Sequence, residues 1–498
     1  MSTTPTPLLL AIDQGTSSTK TLVFDREGRV VARASVPLRS IYEGDHAEQS
    51  PEEILQNVKD SVHACLDDLR SRNGNTSDIL SMGISNQRET FIVWDDTGKP
   101  LYNAILWQCK RSTEICDRLA AQGLSSTIKE ITGLVVDPYF SGTKMIWLYE
   151  NNAAVRAAVD AGTARFGTVD TWLLYNLTNG RSYLTDHTNA SRTMFFNLKK
   201  LDWDHDLLSS FGLVNLRLPE CRPSASDFGT TDIDGLLHSE LPISAMIGDS
   251  HAAAFGEGCF HPGMAKATMG TGCSILMNIG DSPIPSANGM VTTICWSAVD
   301  KVNYALEGLI VSCGATIEWL KNDLGLISDS AETESIARSM PGNGGVYLVP
   351  AFSGLGAPYW QMGRRASITG ITLGTKKEHI IRAALESIPY QVADVITAME
   401  KDAGMSLETL MVDGGISANV FILSFLSNLL NKPVTRFTIP DLSAQGAALL
   451  AGLQSGVYAD IQAIETLRRE RTTTSPAGDG SEKGWHEGWL VAINAGTN

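Results

Sequence analysis

The chain has no Cys-x-x-Cys pair and no cysteine–histidine spacing that suits zinc. Its eight cysteines, at positions 65, 109, 116, 221, 259, 273, 295 and 313, are scattered, which argues against a disulfide framework and fits a reducing cytoplasm better than secretion. No run approaches the roughly 18 apolar residues that a membrane helix needs, so membrane insertion is not expected. The leading Met1-Ser2-Thr3-Thr4-Pro5 lacks the basic region of a signal peptide. Positive charge is scarce: 39 Lys and Arg against 55 Asp and Glu leave a net charge of −16, which argues against nucleic acid as a partner. Also missing are a short-period repeat, the Gly-x-x-x-x-Gly-Lys-Ser/Thr phosphate loop and the protein-kinase signature set.

What is present is a long globular chain. With 498 residues, 43% of them apolar and 19% charged, it exceeds one ordinary core and predicts two large domains or three smaller ones. Leu8–Ile12, Thr21–Phe24 and Val30–Ala34 read as strands joined by tight turns, and Ser50-Pro51-Glu52-Glu53 opens a helix with a capping box. Ile79–Ile84 and Phe91–Trp94 continue as strands, so a mixed α/β sheet covered by helices is expected. The pattern returns in weaker form with Ala265–Met269, Ser274–Asn278, a helix over 378–402, a strand at Leu410–Val412 and a helix around Ala418–Leu430. The division falls near Gly256–Gly263, giving domains 1–256 and 257–498. The polar tract Arg468–Lys483 reads as a loop before a short terminal helix.

Three separated segments carry chemistry. Asp13-Gln14-Gly15-Thr16-Ser17-Ser18-Thr19-Lys20 sits between two strands suited to a hairpin. Gly15 admits positive φ and close approach of N–H groups to phosphate. Thr16, Ser17 and Ser18 offer hydroxyls, Lys20 a point charge, and Asp13 can hold Mg²⁺ through water. Gly270-Thr271-Gly272 repeats the device one domain later, so two hairpins would grip a triphosphate from both sides. Val412-Asp413-Gly414-Gly415 ends a strand ahead of Asn419, where glycines would let a flat ring lie on the backbone. Gly248-Asp249 ends an apolar stretch and places a carboxylate where it can accept a hydroxyl proton; the same position equally suits a helix N-cap. Arg88 and Glu89 match, as donor and acceptor, the adjacent hydroxyls of a diol, or else form a surface ion pair. Trp107 can wall a carbon chain or belong to the core, and Tyr139 offers a hydroxyl.

These residues resemble the FGGY carbohydrate kinases, and among them most closely those acting on glycerol. The likeness runs from about Leu8 to about Gly452 and rests on strings such as Ala11–Thr16, Asn86–Thr90, Gly142-Thr143-Lys144, Phe166–Trp172, Thr188–Met194 and Val349–Trp360. It implies two ribonuclease-H-like (actin-type) domains closing on ATP, with Mg²⁺, and a small polyol, and assembly as a homodimer or homotetramer. It implies that Arg88, Glu89, Trp107 and Tyr139 bind the polyol and that Asp249 is the general base. It places Thr16, Ser17, Ser18, Lys20 and Thr271 at the phosphates, and Gly314, Gly415 and Asn419 around the adenosine. Three positions depart from the family pattern: Ser250 stands for a polyol-contacting Gln, Ser274 for an aromatic wall, and Glu318 for a frequent Gln near the nucleotide. The departures leave a longer polyol or a ketopentose as a rival to glycerol, and an actin-like ATP-binding switch without catalysis as a rival of another class.

Overall fold

Leu8-Leu9-Leu10-Ala11-Ile12 is apolar at every position because the strand it forms, β1 (Leu8–Gln14), is buried on both faces. Leu8, Leu10 and Ile12 pack with Ile54, Val58, Val62 and Leu66 of helix α1 (Pro51–Ser71). Leu9 and Ala11 pack on the other side with Ala444, Ala447 and Ala451. Each such aliphatic side chain stabilises the fold by roughly 1.5–3 kcal/mol. Ser50 caps α1, its hydroxyl accepting the Glu53 N–H at 3.1 Å, as the sequence leads one to expect. The computed structural model describes residues 7–361, 363–439, 441–467 and 470–495; Met1–Pro5 and Arg468 lie outside the described residues.

β1 pairs antiparallel with β2 (Ser18–Phe24), which pairs antiparallel with β3 (Val30–Pro37). On its other edge β1 runs parallel to β4 (Ile79–Asn86), and β4 runs parallel to β5 (Leu241–Gly248). Helix α2 (Asp249–Glu257) then leads to a second sheet built the same way. β6 (Met264–Met269) and β7 (Cys273–Gly280) form a hairpin, extended antiparallel by β9 (Lys301–Ile310) and β8 (Val291–Ala298). β6 runs parallel to β10 (Thr409–Asp413), and β10 to β11 (Val434–Phe437). A long helix α3 (Lys377–Ala403), then α4 (Val420–Leu430) and α5 (Leu442–Gln454), supply the helical layers. Both sheets thus follow one plan, antiparallel strands and then parallel ones, with three antiparallel strands in the first sheet and four in the second.

Helices α2 and α5 meet backbone to backbone between the sheets. A Cβ on Gly446 would stand 1.8 Å from the Ala252 carbonyl oxygen, and one on Gly256 would stand 2.6 Å from that of Leu442. Only glycine permits this approach.

Two expectations need correction. Phe91–Trp94 does not extend the first main sheet; it belongs to a separate five-stranded sheet, paired with Arg165–Thr168. The polar tract is not a loop throughout: Arg471–Thr474 pairs antiparallel with β11 as edge strand β12, and the terminal helix already begins at Ser481. Its threonines are β-branched and suit an exposed edge, where Thr473 meets Thr435 hydroxyl to hydroxyl at 2.9 Å.

Candidate active site

Strand register brings the motifs together. Gln14 stands beside Asn86 and Asn86 beside Gly248, so Asp13, the Gln87–Glu89 turn and Asp249 leave the first sheet along one edge. In the second sheet Thr268 stands beside Asp413, which puts the Gly270–Gly272 turn and the Gly414 turn on a common edge. Carboxyl ends of parallel strands are where open α/β sheets bind ligands. A cavity of about 640 Å³ lies there, lined by Thr16, Ser17, Trp107, Tyr139, Arg192, Thr271 and Glu307 among others.

The first hairpin turn is closed by the Gly15 N–H donating to the Ser18 carbonyl at 3.0 Å, Ser18 itself opening β2. Gly15 does not take the positive φ expected of it; a Cβ there would lie 3.2 Å from the Ser18 oxygen, so tightness rather than handedness favours glycine. The Thr16 hydroxyl accepts from Trp107 Nε1 at 3.0 Å and donates to Gln87 Oε1 at 3.1 Å. Lys20 forms an ion pair with Asp441 at 2.5 Å, across from the other half of the chain. Asp13 accepts from Ser85 Oγ at 3.0 Å. Burial, and after it the nearby Asp249 carboxylate, pushes the Asp13 carboxyl up to about 7.

Arg88 and Glu89 are not a surface pair. Both are buried, and Glu89 holds a left-handed backbone with φ of 60°, a conformation that costs about 1–3 kcal/mol and clusters at functional sites. Arg88 Nη2 donates to Glu307 Oε1 at 2.8 Å, its Nε lies 3.4 Å from Asp249 Oδ1, and its Nη1 is buried without a partner. Glu89 Oε1 accepts from Arg192 Nε at 2.5 Å. Arg192 Nη1 lies 2.5 Å from Glu307 Oε2, a close ion pair rather than an aligned hydrogen bond. Arg88, Glu307, Arg192 and Glu89 therefore form one buried charged chain. Burial alone would raise the Glu307 carboxyl, but the Arg192 and Arg88 guanidiniums outweigh it and hold the group well below the usual range. For Glu89 burial prevails over the same two cations and raises it.

Trp107 and Tyr139 meet edge to face, ring centres 5.6 Å apart, with the Arg192 guanidinium 5.9 Å from the Tyr139 ring. Behind them the buried Lys144 Nζ donates to the Tyr139 carbonyl at 2.8 Å and reaches that of Trp107 at 3.5 Å. Burial pushes this ammonium down to about 8.

Asp249 opens α2 as its first residue; Gly248, not Asp249, is the N-cap. Neither Arg88 nor Glu89 nor Asp249 is among the residues lining the cavity, and the Asp249 side chain is 40% exposed. Next to it the Ser250 hydroxyl accepts from Lys266 Nζ at 2.6 Å and meets the Ser274 hydroxyl at 3.0 Å, and Ser274 donates to Glu307 Oε1 at 3.1 Å. The two departures from the family pattern thus face and bind each other.

Gly314 donates its N–H to the Gly270 carbonyl at 2.9 Å, seating it under the Thr271 turn. Gly414, with φ of 86°, lies against Met269, where a Cβ would come within 2.4 Å of the carbonyl oxygen. Gly415 is exposed. Asn419 caps α4, its side-chain oxygen accepting from Phe421 and Ile422 N–H at 3.1 and 3.2 Å. Glu318 is exposed and accepts from Asn322 at 2.8 Å. These residues gather beyond the Thr271 turn, outside the cavity lining, so the site has two ends. Sequence reasoning missed Glu307, Lys266 and Asp441. Glu307 and Lys266 did leave a signal: Lys266 is the lone charge of β6, and Glu307 interrupts the run Tyr304–Ile310 of β9.

Comparison with known proteins agrees along the whole chain. Residues 8–256 match the N-terminal domain of the FGGY family of carbohydrate kinases, and residues 265–455 its C-terminal domain. Glycerol kinase 2 of Thermotoga maritima is 48% identical over 463 residues, 92% of each chain. Glycerol kinase of Alkaliphilus oremlandii is 45% identical over 489 residues, 98% of this chain and 96% of that one. Among solved structures, glycerol kinase of Plasmodium falciparum with ADP superposes with a TM-score of 0.93 at 34% identity, covering 99% of both chains.

Proposed function

The chain belongs to the FGGY family of carbohydrate kinases, and from that premise we propose that it transfers the γ-phosphoryl group of ATP to a terminal hydroxyl of glycerol, giving sn-glycerol 3-phosphate and ADP. The observation that carries this reading is a cavity lined by Thr16 and Thr271 from two hairpin turns and by Glu307, whose partner Arg88 in turn lies 3.4 Å from the Asp249 carboxylate. The glycerol kinases among its relatives support glycerol as the acceptor. Residues 1–256 carry the acceptor side and 257–498 most of the nucleotide side.

Asp249 takes the proton from the terminal hydroxyl while that oxygen attacks the γ-phosphorus in line; a phosphorus–oxygen bond to glycerol forms as the bond to ADP breaks. Arg88 Nη1, buried and unpartnered, donates to one of the two hydroxyls that do not react, and the Glu89 carboxylate accepts from the other. Trp107 and Tyr139 hold the carbon chain. Thr16, Ser17, Ser18 and Thr271 give the phosphates hydroxyl and main-chain donors, and Lys20 leaves Asp441 to add its charge. Gly314, Glu318, Gly415 and Asn419 border the adenosine.

The donor set suits Mg²⁺. Asp13 is a carboxylate whose burial and whose neighbour Asp249 both resist ionisation, a tension a cation relieves. Among the described residues no cluster of three or more metal-binding side chains converges, which fits an ion that keeps several waters and leans on one or two carboxylates and phosphate oxygens. Asp13 and Asp249 would hold Mg²⁺, which would supply positive charge against that of the phosphates. A cytoplasmic homodimer or homotetramer completes the reading.

A C4 or C5 polyol is the second reading, favoured by the small hydroxyl-bearing Ser250–Ser274 floor. Competition of glycerol with C3 to C5 polyols decides: glycerol should show the highest kcat/KM, and preference for a tetritol or pentitol would replace it as substrate.

A further inference from the structure

Glu307 comes from β9 of the second sheet, yet its partners Arg88 and Arg192 come from the first half of the chain, 219 residues from Glu307 in the case of Arg88. Its carboxylate is fixed from three sides: Arg88 Nη2 and Ser274 Oγ donate to Oε1, and Arg192 stands on Oε2. Because Ser274 gives its proton to Glu307, Ser250 must donate to Ser274 and accept from the Lys266 ammonium. The buried chain Lys266–Ser250–Ser274–Glu307 therefore has one direction, and it ends on the group that holds Arg88. With Nη2 engaged and Nε turned toward Asp249, Arg88 retains a single orphaned donor, Nη1. A buried unpaired guanidinium nitrogen calls for a partner. Glu89 is held in turn by Arg192, the other cation on Glu307.

We propose that Glu307 is a positioning residue for the polyol: it aims the free donor of Arg88 beside the Glu89 carboxylate, and it does so from the opposite half of the chain. The diol-reading pair is then complete only while the two halves are seated on each other. This rests on glycerol being the acceptor. The single contact that holds Arg88 Nη2, and the Arg192 contact on the other oxygen, both weaken when the carboxylate goes, and a displacement of about 1 Å at a reacting group costs roughly 100-fold.

The test is steady-state kinetics on the full chain with Glu307→Gln and Ser274→Ala. Glu307→Gln is expected to raise KM for glycerol about 100-fold and to leave KM for ATP within about twofold. Ser274→Ala, which removes one of three holds, should raise KM for glycerol about threefold. A folded Glu307→Gln protein with unchanged KM for glycerol, or with both KM values raised alike, overturns the proposal. Should Glu307→Gln fail to fold, Ser274→Ala decides, and an unchanged KM for glycerol there overturns it. Failure of the unmutated chain to phosphorylate glycerol would instead sink the proposed reaction, and is read separately.

Discussion

At the acceptor end of the cleft four charged side chains, Arg88, Glu89, Arg192 and Glu307, are each at most 5% exposed and engage one another directly. At the nucleotide end the contacts fall to main-chain turns at Thr271 and Gly414, and to Asn419 and Glu318, which are partly or fully open to solvent. Buried guanidiniums cannot be re-aimed without leaving a charge unpaired, so the acceptor end is set before ligand binds. A main-chain turn presents the same N–H groups whatever side chains it carries. Substitution at Glu318 is therefore expected to change activity less than substitution around Arg88.

The sharpest way to break this contrast is Asp249→Asn. If the acceptor end carries the chemistry, kcat should fall 10²- to 10⁴-fold with both KM values nearly unchanged, as measured in a coupled ADP-release assay; near wild-type turnover would remove Asp249 as base. The second test concerns Lys144, buried behind the acceptor walls. Its ammonium faces Glu89, Cys109, Asp137 and Cys116, yet burial pushes it down to about 8 from 10.5. Below pH 8 both folded and unfolded states hold the proton, and the cost of burying it is fully present. Between about 8 and 10.5 the unfolded state binds more protons, so stability rises with pH. Lys144→Met lacks that slope: the gap between wild type and variant should move in favour of wild type by on the order of 3 kcal/mol from pH 7 to pH 10 in urea titrations. A flat difference would show the lysine to be neutral already, or hydrated. The mildest test lies at the nucleotide end. Asn419→Ala removes the cap of α4 and should cost about 1 kcal/mol by urea titration, with a severalfold rise in KM for ATP and none for glycerol; a rise for glycerol would erase the distinction between the ends.

The strands were readable because β1, β4 and β6 are largely apolar runs bounded by turns. The two hairpins, Asp249 at a strand end and the Arg88–Glu89 turn were readable for the same reason. What escaped was whatever depends on partners far along the chain. Nothing near Arg88 announces Glu307, 219 residues on, and nothing near Lys20 announces Asp441, 421 residues on. Gly15 misled because an Asp-x-Gly turn suggests positive φ, whereas a carbonyl crowding the Cβ position also selects glycine. The threonine strand β12 was hidden by charged neighbours that outweighed its β-branched residues.

The glycine contacts between α2 and α5 have a mechanical consequence. Helices that interlock through side chains must unlatch, rotamer by rotamer, before one can slide on the other. Here Gly446 and Gly256 leave peptide resting on peptide, beside the hydrogen bond that the Ser443 hydroxyl donates to the Asp249 carbonyl at 3.0 Å. Shear between the sheets, the small sliding by which packed helices accommodate domain closure, has a plane at that seam, while elsewhere the halves are held by the charged contacts of Glu307 and Lys20 and by hydrogen bonds such as that from the Ala225 N–H to the Ser297 carbonyl.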